Sequence, residues 1–447
     1  MALAIPANRE KSPNLRWDLR IQQTMIRHIL SLVANSQCSL LMFPSSDTKL
    51  HLYEAANLTF TVEADQPLDD VVLTLTSSDP SVVQLDSASM QISQLIPGEN
   101  FSALLTPLQI GYADLAWEFV DKIGNDSSAG IHSMRVVREQ TAFAMGFGAI
   151  IGLLVALNNV NVGCQLDMQV VLAQLKKPVA PTIGMLGQFV FMPLVMFSFN
   201  LSFAKPDDVA GRLGLFTIGS CPGGVYSNFY TLLLQGDLDL SVTMTFISNV
   251  GALGMMPFWM HTLGHKLSGP TTPAVPFSNL IVSLVALTIP LGIGLLIQYK
   301  RPKWGKASER IVKPFSVAIL LVALVVGIYS YWYIATLITL LEVAAASVVV
   351  VSGFAFGAGM AWLARLNPRQ IIAVSLETAI QNGPLAIVIL TFSLPEPSGD
   401  LAVVPVAVLV TLSIHRMKCT FCTRRSGGDI TLLQCAGAVP PPALRLP

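Results

Sequence analysis

From about residue 141 onward the chain is a succession of apolar segments, at roughly 141–161, 180–203, 211–234, 238–262, 277–299, 313–334, 338–364, 370–394 and 400–416. Most lie near the roughly 20 residues that a helix needs to cross a bilayer. In hydrocarbon every backbone N–H and C=O must be satisfied by protein, so spanning segments of this length are helices. Composition agrees: 52% of the 447 residues are hydrophobic and 12% charged, against about 25% charged in a soluble domain. The fold expected is a multi-pass α-helical protein of the lipid bilayer.

Ahead of these segments, residues 48–138 read as soluble β-structure. Short runs alternate apolar and polar residues, as in Leu58-Thr59-Phe60-Thr61-Val62, Val72-Leu73-Thr74-Leu75 and Val82-Val83-Gln84-Leu85. Turn signals such as Ser78-Asp79-Pro80 and Pro97-Gly98-Glu99-Asn100 separate them. That rhythm predicts an all-β, immunoglobulin-like sandwich. Sequons at Asn57, Asn100 and Asn125 predict glycosylation and hence an extracellular or luminal domain.

The first 47 residues leave two readings open. The short apolar run Ile29–Ala34, with a start at Met25, reads as a weak signal peptide; the other reading is an N-terminus that is mispredicted or incomplete. Residues 417–447 read as a cytoplasmic tail without fixed structure, ending in a Pro/Ala/Leu-rich stretch. The six cysteines form no disulfide framework, and Cys419-x-x-Cys422 lacks the second pair of a zinc site.

Basic residues set the orientation. One set of connections carries Lys176, Lys177, Lys300, Arg301, Lys303, Lys306, Arg310, Lys313, Arg365, Arg369, Arg416, Lys418, Arg424 and Arg425. The alternate connections carry only Lys205, Arg212 and Lys266. The positive-inside rule puts the first set in the cytoplasm, together with the C-terminus, and the β-domain outside. A net charge of zero gives no reason to expect a nucleic-acid partner.

Within the apolar segments one carboxylate stands alone. Glu377 lies in Ser375-Leu376-Glu377-Thr378-Ala379-Ile380-Gln381-Asn382-Gly383-Pro384, with its nearest charged neighbours at Arg369 and Glu396. A charge at mid-membrane costs about 2.5–3.5 kcal/mol on insertion scales, so it marks a functional site by default. The third segment shows a related break, Gly219-Ser220-Cys221-Pro222-Gly223-Gly224-Val225-Tyr226-Ser227-Asn228. Paired interruptions in two halves point to a transporter site at a repeat interface; the plainer reading is two packing kinks. Glu377 and Gln381 share a helical face, as do Ser241, Thr245 and Ser248. Those hydroxyls either bond back to their own helix or, with Asn228 and Glu377, form an all-oxygen site for a hard cation.

These strings resemble the bile acid:sodium symporter family, solute carrier family 10. The resemblance rests on Cys221–Asn228, on Gly236-Asp237-Leu238-Asp239-Leu240-Ser241-Val242-Thr243-Met244-Thr245 and on Glu377–Asn382. Gly163-Cys164, Lys177-Pro178, Gln188-Phe189 and Met192-Pro193 add to it, over about 141–400. It implies an inverted-repeat transporter with two broken, crossing helices. It also implies one sodium site at Ser227, Asn228, Ser241, Thr245 and Glu377. A second sodium site would use Gln188, Glu377 and Gln381 with carbonyls of Thr378 and Ile380. Asn228 and Asn382 would face substrate where the helices cross. The external β-domain resembles the orphan branch of the family, its member 3 and member 5 type. The family usually has small residues where Val225 and Tyr226 stand, which predicts a more crowded crossing.

The activity so implied is sodium-coupled symport of an amphipathic organic anion, of bile acid or steroid-conjugate type, by alternating access. No cofactor beyond co-transported sodium is expected; the plasma membrane and a possible homodimer are. The alternative is a non-transporting orphan membrane protein whose β-domain binds a partner. An enzyme is not expected: Cys221-Pro222-Gly223-Gly224 lacks the Lys-Ser/Thr ending of a phosphate loop, and no nucleophile–base pair appears.

Overall fold

The computed structural model describes residues 40–42, 47–63, 68–86, 89–96, 98–121, 127–139, 168–267, 277–301 and 333–424, with scattered positions between 153 and 166 and residue 303. Expected spans at 141–161 and 313–334 fall mostly outside these residues, as do Asn125, most of the 1–47 segment and the tail beyond 424. The chain divides into two compact units, with strands up to Val137 in one and helices from Arg138 onward in the other.

Among its described residues the first unit contains nine strands: β1 (Leu40–Met42), β2 (Asp47–His51), β3 (Ala56–Glu63), β4 (Leu68–Ser77), β5 (Val83–Leu85), β6 (Ser89–Leu95), β7 (Asn100–Pro107), β8 (Gly111–Asp121) and β9 (Ser127–Val137). They form a four-stranded sheet in the order β1-β3-β7-β5 and a five-stranded sheet in the order β2-β9-β8-β4-β6. Alternation dictates the core. Leu58, Phe60 and Val62 of β3 and Leu105 of β7 are buried with Val71, Leu73 and Leu75 of β4 and Leu115, Trp117 and Phe119 of β8. A one-residue slip of any of these strands would turn that apolar face outward, so the period-2 pattern fixes register. The intervening residues face out, among them the sequon residues Asn57 and Asn100.

The second unit is helical. Helices α1 (Met168–Leu175) and α2 (Val179–Leu186) are followed by a π-turn, Gly187–Phe191, and α3 (Met192–Phe203). Then come α4 (Val209–Gly219), α5 (Val225–Leu233) and α6 (Leu238–Trp259), the last extended by a second π-turn at Met260–Gly264. The remainder are α7 (Phe277–Lys300), α8 (Ile334–Leu337), α9 (Leu340–Leu363), α10 (Pro368–Ala379), α11 (Gly383–Ser393) and α12 (Ser398–Arg424). Among the described residues, four helices have the length and apolarity to cross a membrane: Val179–Phe203, Leu238–Leu267, Ile281–Lys300 and Leu340–Leu363.

Side-chain caps define the helix starts. Asp208 Oδ1 accepts from Gly211 N at 2.9 Å, Asp237 Oδ1 from Leu240 N at 3.0 Å and Asn382 Oδ1 from Leu385 N at 3.1 Å. Each satisfies a first-turn N–H that the helix itself leaves without a partner. Asn367 and Gln370 form a capping box at the start of α10.

Two expected segments differ from uninterrupted spans. The third is split into α4 and α5 and the eighth into α10 and α11, with residues 220–224 and 380–382 non-helical. The last segment is longer than expected: α12 runs from Ser398 to Arg424, so the boundary placed at 416/417 falls inside a helix. Between Pro405 and Arg424 the sequence holds no glycine or further proline, and nothing there interrupts the backbone ladder.

Candidate functional site

The site is built where the two non-helical segments meet. Pro222 and the glycines beside it end α4, and Ile380–Asn382 separate α10 from α11. Backbone groups freed by one break are satisfied by the other. Gly224 N donates to Ile380 O at 2.9 Å and Asn382 N to Pro222 O at 2.9 Å, forming an isolated antiparallel bridge, Gly223 with Gln381. This meets the requirement that irregular backbone inside a bundle find protein partners.

Side chains leave no room at this bridge. A Cβ on Gly223 would lie 2.2 Å from Glu377 Oε1 and 2.5 Å from Gln188 Nε2, so the carboxylate rests directly on the glycine. Glu377 is 0% exposed. Its Oε2 accepts from Ser227 Oγ at 2.5 Å and from Ser241 Oγ at 3.4 Å; its Oε1 accepts from Thr245 Oγ1 at 2.7 Å. Asn228 Oδ1 joins the cluster, 2.8 Å from Ser241 Oγ and 3.2 Å from Thr245 Oγ1, so it competes with Glu377 for the single proton of each hydroxyl. All five residues of the first expected sodium site therefore come together, from α5, α6 and α10. Among the described residues no lysine or arginine pairs with Glu377. Burying a carboxylate without a paired charge is strongly unfavourable, and a bound cation is the compensation that an all-oxygen shell of this kind suits.

The residues of the second expected site lie against the first. Gln188 Nε2 donates to Glu377 O at 2.8 Å and Gln381 Nε2 to Thr378 O at 3.0 Å. Gln381 is 2% exposed, and its Oε1 has no hydrogen-bond partner among the described residues. A buried acceptor left empty fits a cation ligand, because an unmatched polar atom otherwise costs about 1–3 kcal/mol. The Ile380 carbonyl is used by the bridge, which leaves its second lone pair. Asn382 serves as the cap of α11. Tyr226 packs with Tyr230 against Leu376 and Ile380, so its ring fills space beside the bridge.

The open choice about the α6 hydroxyls is resolved residue by residue. Ser248 Oγ donates to Thr245 O and Thr243 Oγ1 to Asp239 O, within their own helix. Ser241 Oγ reaches across to Glu377, and so does Thr245 Oγ1, which also lies 3.1 Å from the Ser241 carbonyl of its own helix.

Two features escaped sequence reasoning. The first is the π-turn at Gly187–Phe191, which carries Gln188; single π-turns often sit at functional sites. Pro193 cannot donate to Phe189 O four residues earlier. Trp259 Nε1 of α6 takes over that carbonyl at 2.6 Å, so the turn holding Gln188 is tied to the helix carrying Thr245. The signal was Met192-Pro193, but its partner is 70 residues away in sequence. The second is Gly353-x-x-x-Gly357 on α9. Cβ atoms there would lie 2.8 Å from Ala379 Cα and Ser375 Cα, so the two helix backbones touch beside Glu377. This small-residue spacing is a known membrane-helix packing pattern and was readable.

Residues 151–336 match the Sodium Bile acid symporter family. The match covers less than half of the chain, which is similar to that family over those residues. The family is one of transporters, not enzymes, and its members are integral membrane proteins. The human P3 protein is 34% identical over 249 residues, 56% of this chain and 52% of its own length. The rat sodium/bile acid cotransporter 4 is 33% identical over 257 residues, 56% of this chain and 57% of its own. The bovine sodium-dependent organic anion transporter is 30% identical over 256 residues, 55% and 65% respectively. The chain thus spans about half the length of the first of these relatives.

Proposed function

We propose that this protein couples inward sodium movement to uptake of an amphipathic organic anion, of bile acid or steroid-conjugate type, by alternating access. The observation that carries this reading is the buried Glu377 carboxylate, ringed by hydroxyls of Ser227, Ser241 and Thr245 with Asn228 behind them. Sodium bound there neutralises Glu377 and ties α5, α6 and α10 together. A second sodium is held by Gln188, Glu377 and Gln381, with the carbonyls of Thr378 and Ile380. The organic anion lies near Asn228 and Asn382, beside the bridged breaks, which this reading takes as crossing helices of two inverted repeats. The membrane potential contributes about 2.3 kcal/mol per net charge per 100 mV. The names of two relatives, an organic anion transporter and a bile acid cotransporter, support the substrate class.

In the same reading the β-domain is extracellular, immunoglobulin-like and glycosylated at Asn57, Asn100 and Asn125. The C-terminus is cytoplasmic, and the protein resides in the plasma membrane as a monomer or homodimer. The pairing of β1, β3, β7 and β5 in one sheet against β9, β8 and β4 in the other supports the sandwich assignment. The test is uptake of labelled taurocholate and steroid sulfates by expressing cells, with sodium and with sodium replaced by choline. Uptake that needs sodium and vanishes in Glu377→Gln is expected; unchanged uptake in that variant refutes the role given to Glu377.

A further inference from the structure

A groove of about 520 Å³ opens between the start of α2 and the end of α9, lined by Pro178, Val179, Thr182, Ile183, Met360, Leu363 and Ala364. The lining is almost wholly apolar, Thr182 being the exception. The ends of the groove are different. Lys176 and Lys177 immediately precede Pro178, and Arg365 immediately follows Ala364. All three are exposed, and none has an ion-pair or side-chain hydrogen-bond partner among the described residues. Arg365 sits at φ +57°, in the left-handed turn that ends α9, which projects the chain out of the helix beside the groove. Trp362, 68% exposed on the same helix end, is the residue type that settles at a membrane–water boundary.

Apolar walls flanked in sequence by three exposed cations call for an amphiphile with an anionic head. Neither half of the feature alone would specify a ligand. An apolar groove in a membrane protein accepts any acyl chain, and basic residues at helix ends follow from orientation. Their convergence is what selects by charge.

We propose that this groove binds an anionic phospholipid of the cytoplasmic leaflet, with one acyl chain along Val179, Ile183, Met360 and Leu363 and the phosphate held by Lys176, Lys177 and Arg365. The leaflet assignment rests on the orientation adopted under the proposed function; binding itself does not depend on transport. The lipid bridges α2, which leads into the π-turn carrying Gln188, and α9, which packs on α10. It therefore grips both helices that flank the cation cluster, without touching the cluster.

The experiment is native mass spectrometry of the purified full chain, incubated with phosphatidylserine or with phosphatidylcholine of the same acyl composition. Phosphatidylserine should be retained preferentially. A basic residue near a membrane surface contributes about fivefold in affinity, so Lys176→Gln, Lys177→Gln and Arg365→Asn together should lower retention about a hundredfold. Asparagine is chosen at 365 because it tolerates the left-handed conformation. Thr182→Trp, which fills the groove and keeps the charges, should also reduce binding. Equal retention of the two lipids, or unchanged retention in both variants, overturns the proposal. So does displacement of phosphatidylserine by taurocholate at concentrations that support uptake, since the groove would then be part of the substrate path. Failure of sodium-dependent uptake alongside selective lipid retention would count against the transport reading and not against this one.

Discussion

Replacing Gly223 with alanine puts a methyl group 2.2 Å from Glu377 Oε1 and 2.5 Å from Gln188 Nε2. Neither neighbour can simply withdraw. Oε1 is held by Thr245 Oγ1 at 2.7 Å, and the other carboxylate oxygen by Ser227 at 2.5 Å. Gln188 Nε2 is engaged with Glu377 O at 2.8 Å. Relief must come from rotating the carboxylate off its hydroxyls or from opening the bridge between Gly223 and Gln381. Overpacking of this kind costs about 1–3 kcal/mol. Expressed as weakened cation binding, that is roughly 5- to 150-fold. The assay is thermal unfolding of the purified protein across a sodium titration, with potassium holding ionic strength constant. Saturation at 100 times Kd stabilises by about 2.7 kcal/mol, so the variant's midpoint should respond only at much higher sodium. Gly254→Ala is the control: it lies on α6, the helix of Ser241 and Thr245, and a Cβ there meets nothing within 4 Å. If Gly223→Ala keeps wild-type sodium dependence, the carboxylate does not rest on this glycine as described and the reasoning fails.

Other substitutions probe separate parts of the same construction. Gln381→Ala removes the buried oxygen that has no partner among the described residues; it should weaken sodium-dependent stabilisation, and it should also lower the sodium-free melting temperature because the bond to Thr378 O is lost and a cavity is left. Trp259→Phe leaves Phe189 O without its donor and should destabilise by about 1–3 kcal/mol. Pro193→Ala restores a backbone donor for that carbonyl, so a double-mutant cycle read by thermal unfolding should show rescue; strict additivity would contradict the link. In the β-domain, His132 is buried against Thr48 Oγ1 at 2.7 Å. Burial holds its pKa below the ordinary histidine value, opposed by Asp47 and Asp114. The folded state thus disfavours the proton that the unfolded chain accepts. Stability is full above the unfolded value of about 6.5 and falls as pH drops below it toward the lower folded value. The melting temperature of the β-domain should decline between pH 7 and pH 5, and His132→Gln should flatten that difference.

How much of this was readable depended on how local each signal was. Glu377 announced itself because a lone carboxylate in an apolar run has no structural use, and its spacing from Gln381 follows from helical geometry. The breaks were readable because Pro222 and Gly383-Pro384 act on their own backbone. Alternation in β3, β4 and β5 predicted β-structure for the same reason. The pairing of the breaks was not readable from either one, because Gly224 finds Ile380 only through the tertiary fold. Trp259 was missed because an interior tryptophan reads as packing, and nothing near it shows that Pro193 has left a carbonyl without a donor. Asn382 was assigned to substrate on resemblance, while its position just before Gly383-Pro384 also reads as a helix cap, the role its hydrogen bond shows. The length of α12 was misjudged because charge and polarity were taken to end a helix that nothing in the backbone ends.

The bridge between the breaks also bears on how the protein is made. Ser227 and Glu377, whose side chains meet beside it, are 150 residues apart in sequence. At about 5–20 residues per second, roughly 8–30 s pass between synthesis of the first break and arrival of its partner. During that interval the backbone groups at Pro222 and Gly224 lack the bonds that later satisfy them, in a segment bound for hydrocarbon. The first half lacks those bonds until α10 and α11 arrive. Lesions around residue 380 should therefore register first as retention and degradation during biogenesis, even where the ribosome has already completed a sound first half.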